Sequence, residues 1–191
     1  MEVGPFENNC YILICSRTME SVIIDPAAEP ERILEEAGNT KVKYILITHG
    51  HMDHVGALEQ VREHTRAPVG IHERDARALQ RPPDFFLEDG HTLTFGQVSL
   101  KVLHTPGHSP GGVCLLQGKV LFSGDTIFPN GPGTTAIPRS DYQEILRSIH
   151  SKIFTLADDT VIYPGHGLET TVGREKVTSF YPLPEGEHRR S

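Results

Sequence analysis

No tryptophan occurs in this chain, cysteine occurs only three times, and acidic residues outnumber basic ones, 25 Asp and Glu against 18 Lys and Arg, for a formal net charge of −7. That balance argues against a nucleic-acid backbone as partner, which favours a basic face, and against an anionic membrane surface. No apolar stretch approaches the roughly 20 residues that a membrane-spanning helix needs. The residues after Met1, Glu-Val-Gly-Pro-Phe-Glu-Asn-Asn, lack the basic-then-apolar order of a secretory leader. These absences predict a cytoplasmic protein that acts on a small molecule, without nucleic-acid or membrane partners; they leave the oligomeric state open. Cys10, Cys15 and Cys114 are odd in number, form no CxxC pair and sit in or beside apolar runs. Buried, reduced thiols are therefore expected. Internal repeats and linkers are absent too. With 191 residues the expectation is one domain spanning 1–191, with a loose tail from about 181.

What is present is a succession of short β-rich runs and amphipathic segments. Strands are expected at Cys10–Ile14, Ser21–Asp25, Lys43–Thr48, Pro68–Ile71, Thr92–Phe95, Val98–Leu103, Val113–Leu116, Val120–Phe122 and Val161–Tyr163. Helical spacing covers Glu29–Ala37, closed by Gly38, then Val55–Thr65, Glu73–Gln80, Asp141–Ile153 and Thr170–Thr178. This is a mixed α/β pattern.

Histidine is abundant, 11 residues, and four of the site's chemical groups fall within six positions: His49-Gly50-His51-Met52-Asp53-His54. Imidazole and carboxylate are the side chains that bind borderline divalent metals near neutral pH. The cluster begins where the strand-like run Lys43–Thr48 ends, and the carboxyl ends of strands are where α/β sheets build sites. Three further segments repeat that placement. His104-Thr-Pro-Gly-His108-Ser-Pro-Gly111 follows one strand, Gly124-Asp125-Thr126 a second and Tyr163-Pro-Gly-His166-Gly167 a third, each with glycine or proline for a tight turn. Together they offer His49, His51, Asp53, His54, His108, Asp125 and His166. Seven ligands exceed the needs of one tetrahedral ion and suit two ions sharing a carboxylate.

These residues resemble the metallo-β-lactamase superfamily. HGHMDH is similar to its HxHxDH signature, and His108, Asp125 and His166 match its later ligands in order and context. The similarity runs from about Asn9 to Lys176 and includes Asn9-Cys-Tyr, Ile23-Ile-Asp25-Pro, TPGHSPGG, SGDTIF and YPGHGLETTVGREK. The last three are nearest the short, single-domain members of the glyoxalase II-like (hydroxyacylglutathione hydrolase-like) branch. The resemblance implies an αββα sandwich, two mixed sheets flanked by helices, with two divalent metals at one edge, zinc first and iron or manganese also fitting. His49, His51 and His108 would hold the first metal, Asp53, His54 and His166 the second, and Asp125 would bridge them; Asp25 would lie close behind. Three departures stand out. Few residues precede Asn9, where the family has a further strand. The helical C-terminal extension of glyoxalase II proper is not matched. Thr134 and Ala136 occupy loop positions where a basic residue and a tyrosine contact glutathione, with Arg139 nearby.

The chemistry expected is hydrolysis by a metal-bound hydroxide. Two ions about 3.5–4 Å apart lower the pKa of a shared water from near 16 toward 7, and Asp53 would orient it as the catalytic carboxylate. A thioester such as an acyl-glutathione suits the site because a thiolate, with a thiol pKa near 8.5, leaves with little protonation. Other esters, lactones and phosphoesters remain open. Persulfide dioxygenases share the motif set and use one iron on a facial triad, here His49, His108 and Asp125. His64, His72, His91, His150 and His188 are expected to be solvated, and His104 to support a ligand loop or pack.

Overall fold

The computed structural model describes residues 1–178 and 180–184. Its strands form two mixed sheets. In the first, Tyr11–Cys15 runs antiparallel to Glu20–Ile24, followed by the parallel neighbours Lys41–Leu46, Val69–Ile71 and Phe85–Phe86. In the second, Thr92–Phe95, Val98–His104, Val113–Gln117 and Val120–Gly124 form an antiparallel meander, extended by the parallel strand Val161–Pro164 and the short Thr170–Thr171. The α-helices are α1 (Pro30–Ala37), α2 (Leu58–Thr65), α3 (Tyr142–Ser148) and α4 (Val172–Lys176).

The two-residue period of the strands sorts their side chains into three cores. Val22, Ile24 and Leu46 meet Phe95, Leu100, Val102, Val113, Leu115 and Phe122 between the sheets. Their sequence neighbours point the other way: Ile23, Ile45 and Ile47 pack with Ile33 and Ala37 of α1 and Leu58 and Val61 of α2. Leu103, Cys114, Leu121 and Ile162 pack with Ile145 and Leu146 of α3 and Val172 of α4. The result is helix–sheet–sheet–helix, the αββα order. Central strands read as continuous apolar runs because both of their faces are covered, and each such side chain contributes about 1.5–3 kcal/mol on burial.

Several boundaries differ from expectation, each for a local reason. The segment expected to start a helix at Val55 is preceded by a 3-10 turn, Met52–His54, closed by His54 N–H donating to His51 O, and α2 begins only at Leu58. The helix over 141–153 is α-helical to Ser148 and then widens into a π-helical turn, Ile149–Ile153; Asp141 caps its start by accepting from Glu144 N at 2.9 Å. Thr170–Thr171 pairs as a strand, and Thr171 Oγ1 accepts from Arg174 N to cap α4. The tail expected to be loose from 181 begins with a fixed residue. Tyr181 is buried against Phe154, donates its hydroxyl to Phe128 O at 2.5 Å and accepts from Gly131 N at 2.9 Å; residues 185–191, with His188, lie outside the described residues. Two short ribbons, Glu2–Val3 with Asn8–Asn9 and Ile127–Phe128 with Gly131–Pro132, escape sequence reading because two residues carry no period.

The three cysteines are buried and unbridged, and burial pushes the Cys10 thiol up to about 12 and the Cys114 thiol up to about 11. Among the described residues no helix is long and apolar enough to cross a membrane.

Candidate metal centre

Four loops at the ends of four strands converge. The loop after Lys41–Leu46 carries His49 and His51 and runs into the Met52–His54 turn; the loop after Val98–His104 carries His108; Asp125 follows Val120–Gly124; His166 follows Val161–Pro164. The first strand belongs to one sheet and the other three to its partner, joined at this end by Val113 N donating to Thr48 O at 2.9 Å.

All seven residues singled out from the sequence meet there. Three groups offer ligand atoms within 4.8 Å of one another: His49, His51 and His108; Asp53, His54 and His166; and, between them, His49, His54 and Asp125. Asp125 faces both sides, with Oδ1 3.4 Å from His54 Nε2 and Oδ2 3.5 Å from His108 Nε2 and 3.7 Å from His166 Nε2. Asp53 Oδ2 lies 3.4 Å from His166 Nε2 and 3.7 Å from His54 Nε2.

The residues fit divalent cations. His49 Nε2, His54 Nε2 and Asp125 Oδ1 are buried and have no hydrogen-bond partner among the described residues, an expensive state for polar atoms unless something else satisfies them. The far side of each ring is anchored so that a lone pair faces inward. His54 Nδ1 donates to Asp25 Oδ2 at 3.0 Å, His108 Nδ1 to the Thr134 carbonyl at 2.8 Å and His166 Nδ1 to the Phe6 carbonyl at 2.9 Å. His49 Nδ1 donates to Thr48 Oγ1 at 3.1 Å, which donates onward to Asp25 Oδ2 at 2.6 Å. Such outer partners fix the tautomer and orientation of metal-binding histidines. The inward Nε2 of His108 then lies 2.9 Å from His51 Nδ1, a facing pair that a shared cation would stabilise. Space is confined as well: a Cβ on Gly165 would collide with Asp125 Oδ1 and His54 Cε1.

Protonation divides along the same line. Burial, then the neighbouring imidazoles, hold His49 well below its ordinary pKa, and burial also lowers His51. For His54, burial pulls downward but the nearby carboxylates, Asp125 at 3.4 Å from Nε2 and Asp25 at 3.0 Å from Nδ1, outweigh it and raise the group to about 10. The hydrogen bond to Asp53 raises His166 against the effect of burial, and the same contact holds Asp53 well below the usual carboxylate range.

A cavity of about 590 Å³ opens over this edge, lined by His51, Asp53, His108 and Asp125 and also by Thr134, Ile137, Pro138 and Arg139. Arg139 lies in its wall and donates from Nη2 to the Arg74 carbonyl at 3.2 Å. Sequence reasoning missed Asn8, whose Nδ2 donates to Asp53 Oδ2 at 3.1 Å; the segment Glu7-Asn8-Asn9 is polar throughout and gives no local signal that singles Asn8 out. It also missed the carbonyls of Phe6 and Thr134, which no side-chain pattern reveals. Asp25 lies behind the ligands, where the resemblance implied it. His72 and His150, expected to be solvated, are partly buried instead. His72 stacks on His104 with ring centroids 3.9 Å apart, and His150 Nε2 donates to the Tyr181 and Pro182 carbonyls while its ring abuts Phe154.

An αββα sandwich that gathers histidines and carboxylates for divalent cations at the end of its two sheets is the scaffold of a metal-dependent hydrolase. The chain belongs to the metallo-beta-lactamase superfamily, whose family model matches residues 3–166. It is 35% identical over 196 residues to the hydroxyacylglutathione hydrolase GloC of Haemophilus influenzae, covering 91% of this chain and 92% of that one. Among solved structures it resembles the BLEG-1 B3 metallo-beta-lactamase (TM-score 0.88, 34% identity, 97% of this chain and 98% of that one). It also resembles TTHA1623 in a di-iron-bound form (TM-score 0.81, 34% identity, 93% and 96%).

Proposed function

We propose that this protein is a dinuclear metallohydrolase that cleaves a thioester, an acyl-glutathione or a related acyl-thiol. The observation that carries the reading is the pair of ligand sets joined through Asp125, with buried, unpartnered atoms on His49, His54 and Asp125 itself. His49, His51 and His108 would hold one ion, Asp53, His54 and His166 the other, with Asp125 between them. The imidazole and carboxylate donors suit zinc, iron or manganese; the di-iron form of TTHA1623 and the likeness to GloC support two metals and a thioester.

When bound, divalent metals here supply Lewis acidity, acidifying water toward neutral pH and withdrawing charge from a carbonyl oxygen. The chain's own groups do the rest. Asp53 is anionic, held so by His166, Asn8 and His54, and its carboxylate is placed at the cavity wall to accept a hydrogen bond from, and so orient, the attacking water. His49 and His54 are buried behind, and the cavity opens in front of His51, Asp53, His108 and Asp125. Arg139, which also lines the cavity, is placed to meet an anionic end of the substrate. A thiolate leaves with little protonation, so the site needs no dedicated general acid.

Elemental analysis of the purified protein, together with release of free thiol from S-lactoylglutathione, tests the reading. Two metals per chain and thiol release are expected. A one-iron protein that consumes dioxygen with glutathione persulfide would replace it with the dioxygenase reading.

A further inference from the structure

Asp75 is a carboxylate that the ligand sets do not use. It sits in a 3-10 helix, Glu73–Ala78, is 4% exposed, and lines the cavity beside His51, His108 and Asp125. Oδ2 accepts from Gly50 N and Oδ1 from Gly111 N, each at 3.0 Å. Gly50 lies between His49 and His51; Gly111 lies three residues beyond His108. These two loops leave strands of different sheets, so one carboxylate holds together the two halves of the first ligand set. The fit leaves no slack. A Cβ on Gly111 would lie 2.7 Å from Asp75 Cγ, and one on Gly50 would lie 2.7 Å from Ala78 Cβ and 3.0 Å from Asp75 O. The spacing it governs is the 2.9 Å approach of His51 Nδ1 to His108 Nε2.

We infer that Asp75 is a positioning residue for the first metal: its carboxylate fixes the His51–His108 separation across the seam between the sheets. The inference rests on the two-set reading above. The two N–H groups need an acceptor with two oxygens, one for each; an amide offers one oxygen and turns its NH₂ toward the second donor. Asp75→Asn therefore keeps the volume and breaks one arm of the tie.

The test is a competition titration of the full chain with cobalt(II) against a chelator, read by metal stoichiometry and by the visible cobalt spectrum. Asp75→Asn should weaken one of the two ions about 10–100-fold, the usual cost of losing an outer partner, leave the other within about twofold, and shift only the bands of the weakened ion. In a His51→Ala background, where the same ion is already compromised, Asp75→Asn should add little, because the two changes act on one element. Equal weakening of both ions, no weakening, or full additivity with His51→Ala would overturn the inference, since a carboxylate that merely stabilises the fold lowers both affinities alike. Should Asp75→Asn fail to fold, Gly111→Ala, which pushes on the same carboxylate, must give the one-ion defect; two unfolded variants assign Asp75 to the fold and sink the proposal. A wild-type chain that binds one ion sinks the two-metal reading separately, and Asp75 is then judged by its coupling to His51 for that ion; a wild-type chain that binds none sinks both.

Discussion

The two ligand sets lie side by side, yet they are built on opposite principles. His49, His51 and His108 form an all-imidazole set, with His49 and His108 only 2% and 5% exposed, anchored by a hydroxyl and a carbonyl. Burial lowers the proton affinity of His49 and His51. Asp53, His54 and His166 form a set with its own carboxylate, two members of which, Asp53 and His166, expose about 29% and 28% of their side chains. Its imidazoles are raised by Asp53, Asp125 and Asp25. In the first set burial disfavours the charged form of His49 and His51; in the second the carboxylates favour the charged form of His54 and His166, so protons compete with a metal there to higher pH. The difference teaches that one motif of six residues can serve two sites of unlike chemistry, depending on what the fold places behind each ring.

Removing what the sets share should have the largest effect. Asp125→Ala is expected to leave fewer than one metal per chain by elemental analysis and to lower thiol release from S-lactoylglutathione about 10³-fold or more, because both ions lose a ligand; two retained ions would sink the bridging role. Breaking one set at a time comes next. His51→Ala and His166→Ala should each lose a single ion and about 10²-fold in activity, so that a doubly depleted His51→Ala protein would contradict the division. Under the one-iron alternative, His51→Ala should keep its iron, since His51 is outside that triad.

Acid separates the sets without mutation. A metal competes with protons for its ligands, and a ligand with a raised pKa keeps its proton to higher pH. His54, at about 10, and His166 are raised, whereas His49 and His51 are lowered. As pH falls, the second set should therefore release its ion first. Metal retained per chain after dialysis at stepwise lower pH should pass through a plateau near one; simultaneous loss, or retention of the ion on the second set alone, contradicts the assignment. The smallest effect is expected at a cavity residue outside both sets. Arg139→Gln should raise KM for a carboxylate-bearing thioester about tenfold, the scale of one charge-assisted hydrogen bond, with kcat and metal content little changed; an equal change for the substrate's neutral diester would show that the residue does not read charge.

Much of this was legible in the residues. The alternation of Val22, Ile23 and Ile24, or of Leu103 and Val102, carries the information for two covered sheet faces, and the period is local. The seven ligands were legible because each stands just past a strand-like run beside glycine or proline. What escaped notice had no local signal. Asp75 looks like any acidic residue in a polar helix, and Asn8 like part of a turn; both are defined by what touches them from segments 36 and 45 residues away. His72 reads as a surface histidine until His104 is stacked upon it.

The sequence by itself determined the strand and helix types, the set of candidate metal-binding side chains and the acidic net charge, because these depend on residue chemistry and spacing along the chain. Only the tertiary structure decided which candidate ligand lies beside which, which imidazoles are shifted toward the neutral form and which toward the charged form, and which carboxylates support the site without entering it. Those properties depend on distance, burial and neighbouring charge, and residues remote in sequence acquire them only when the two sheets close on each other.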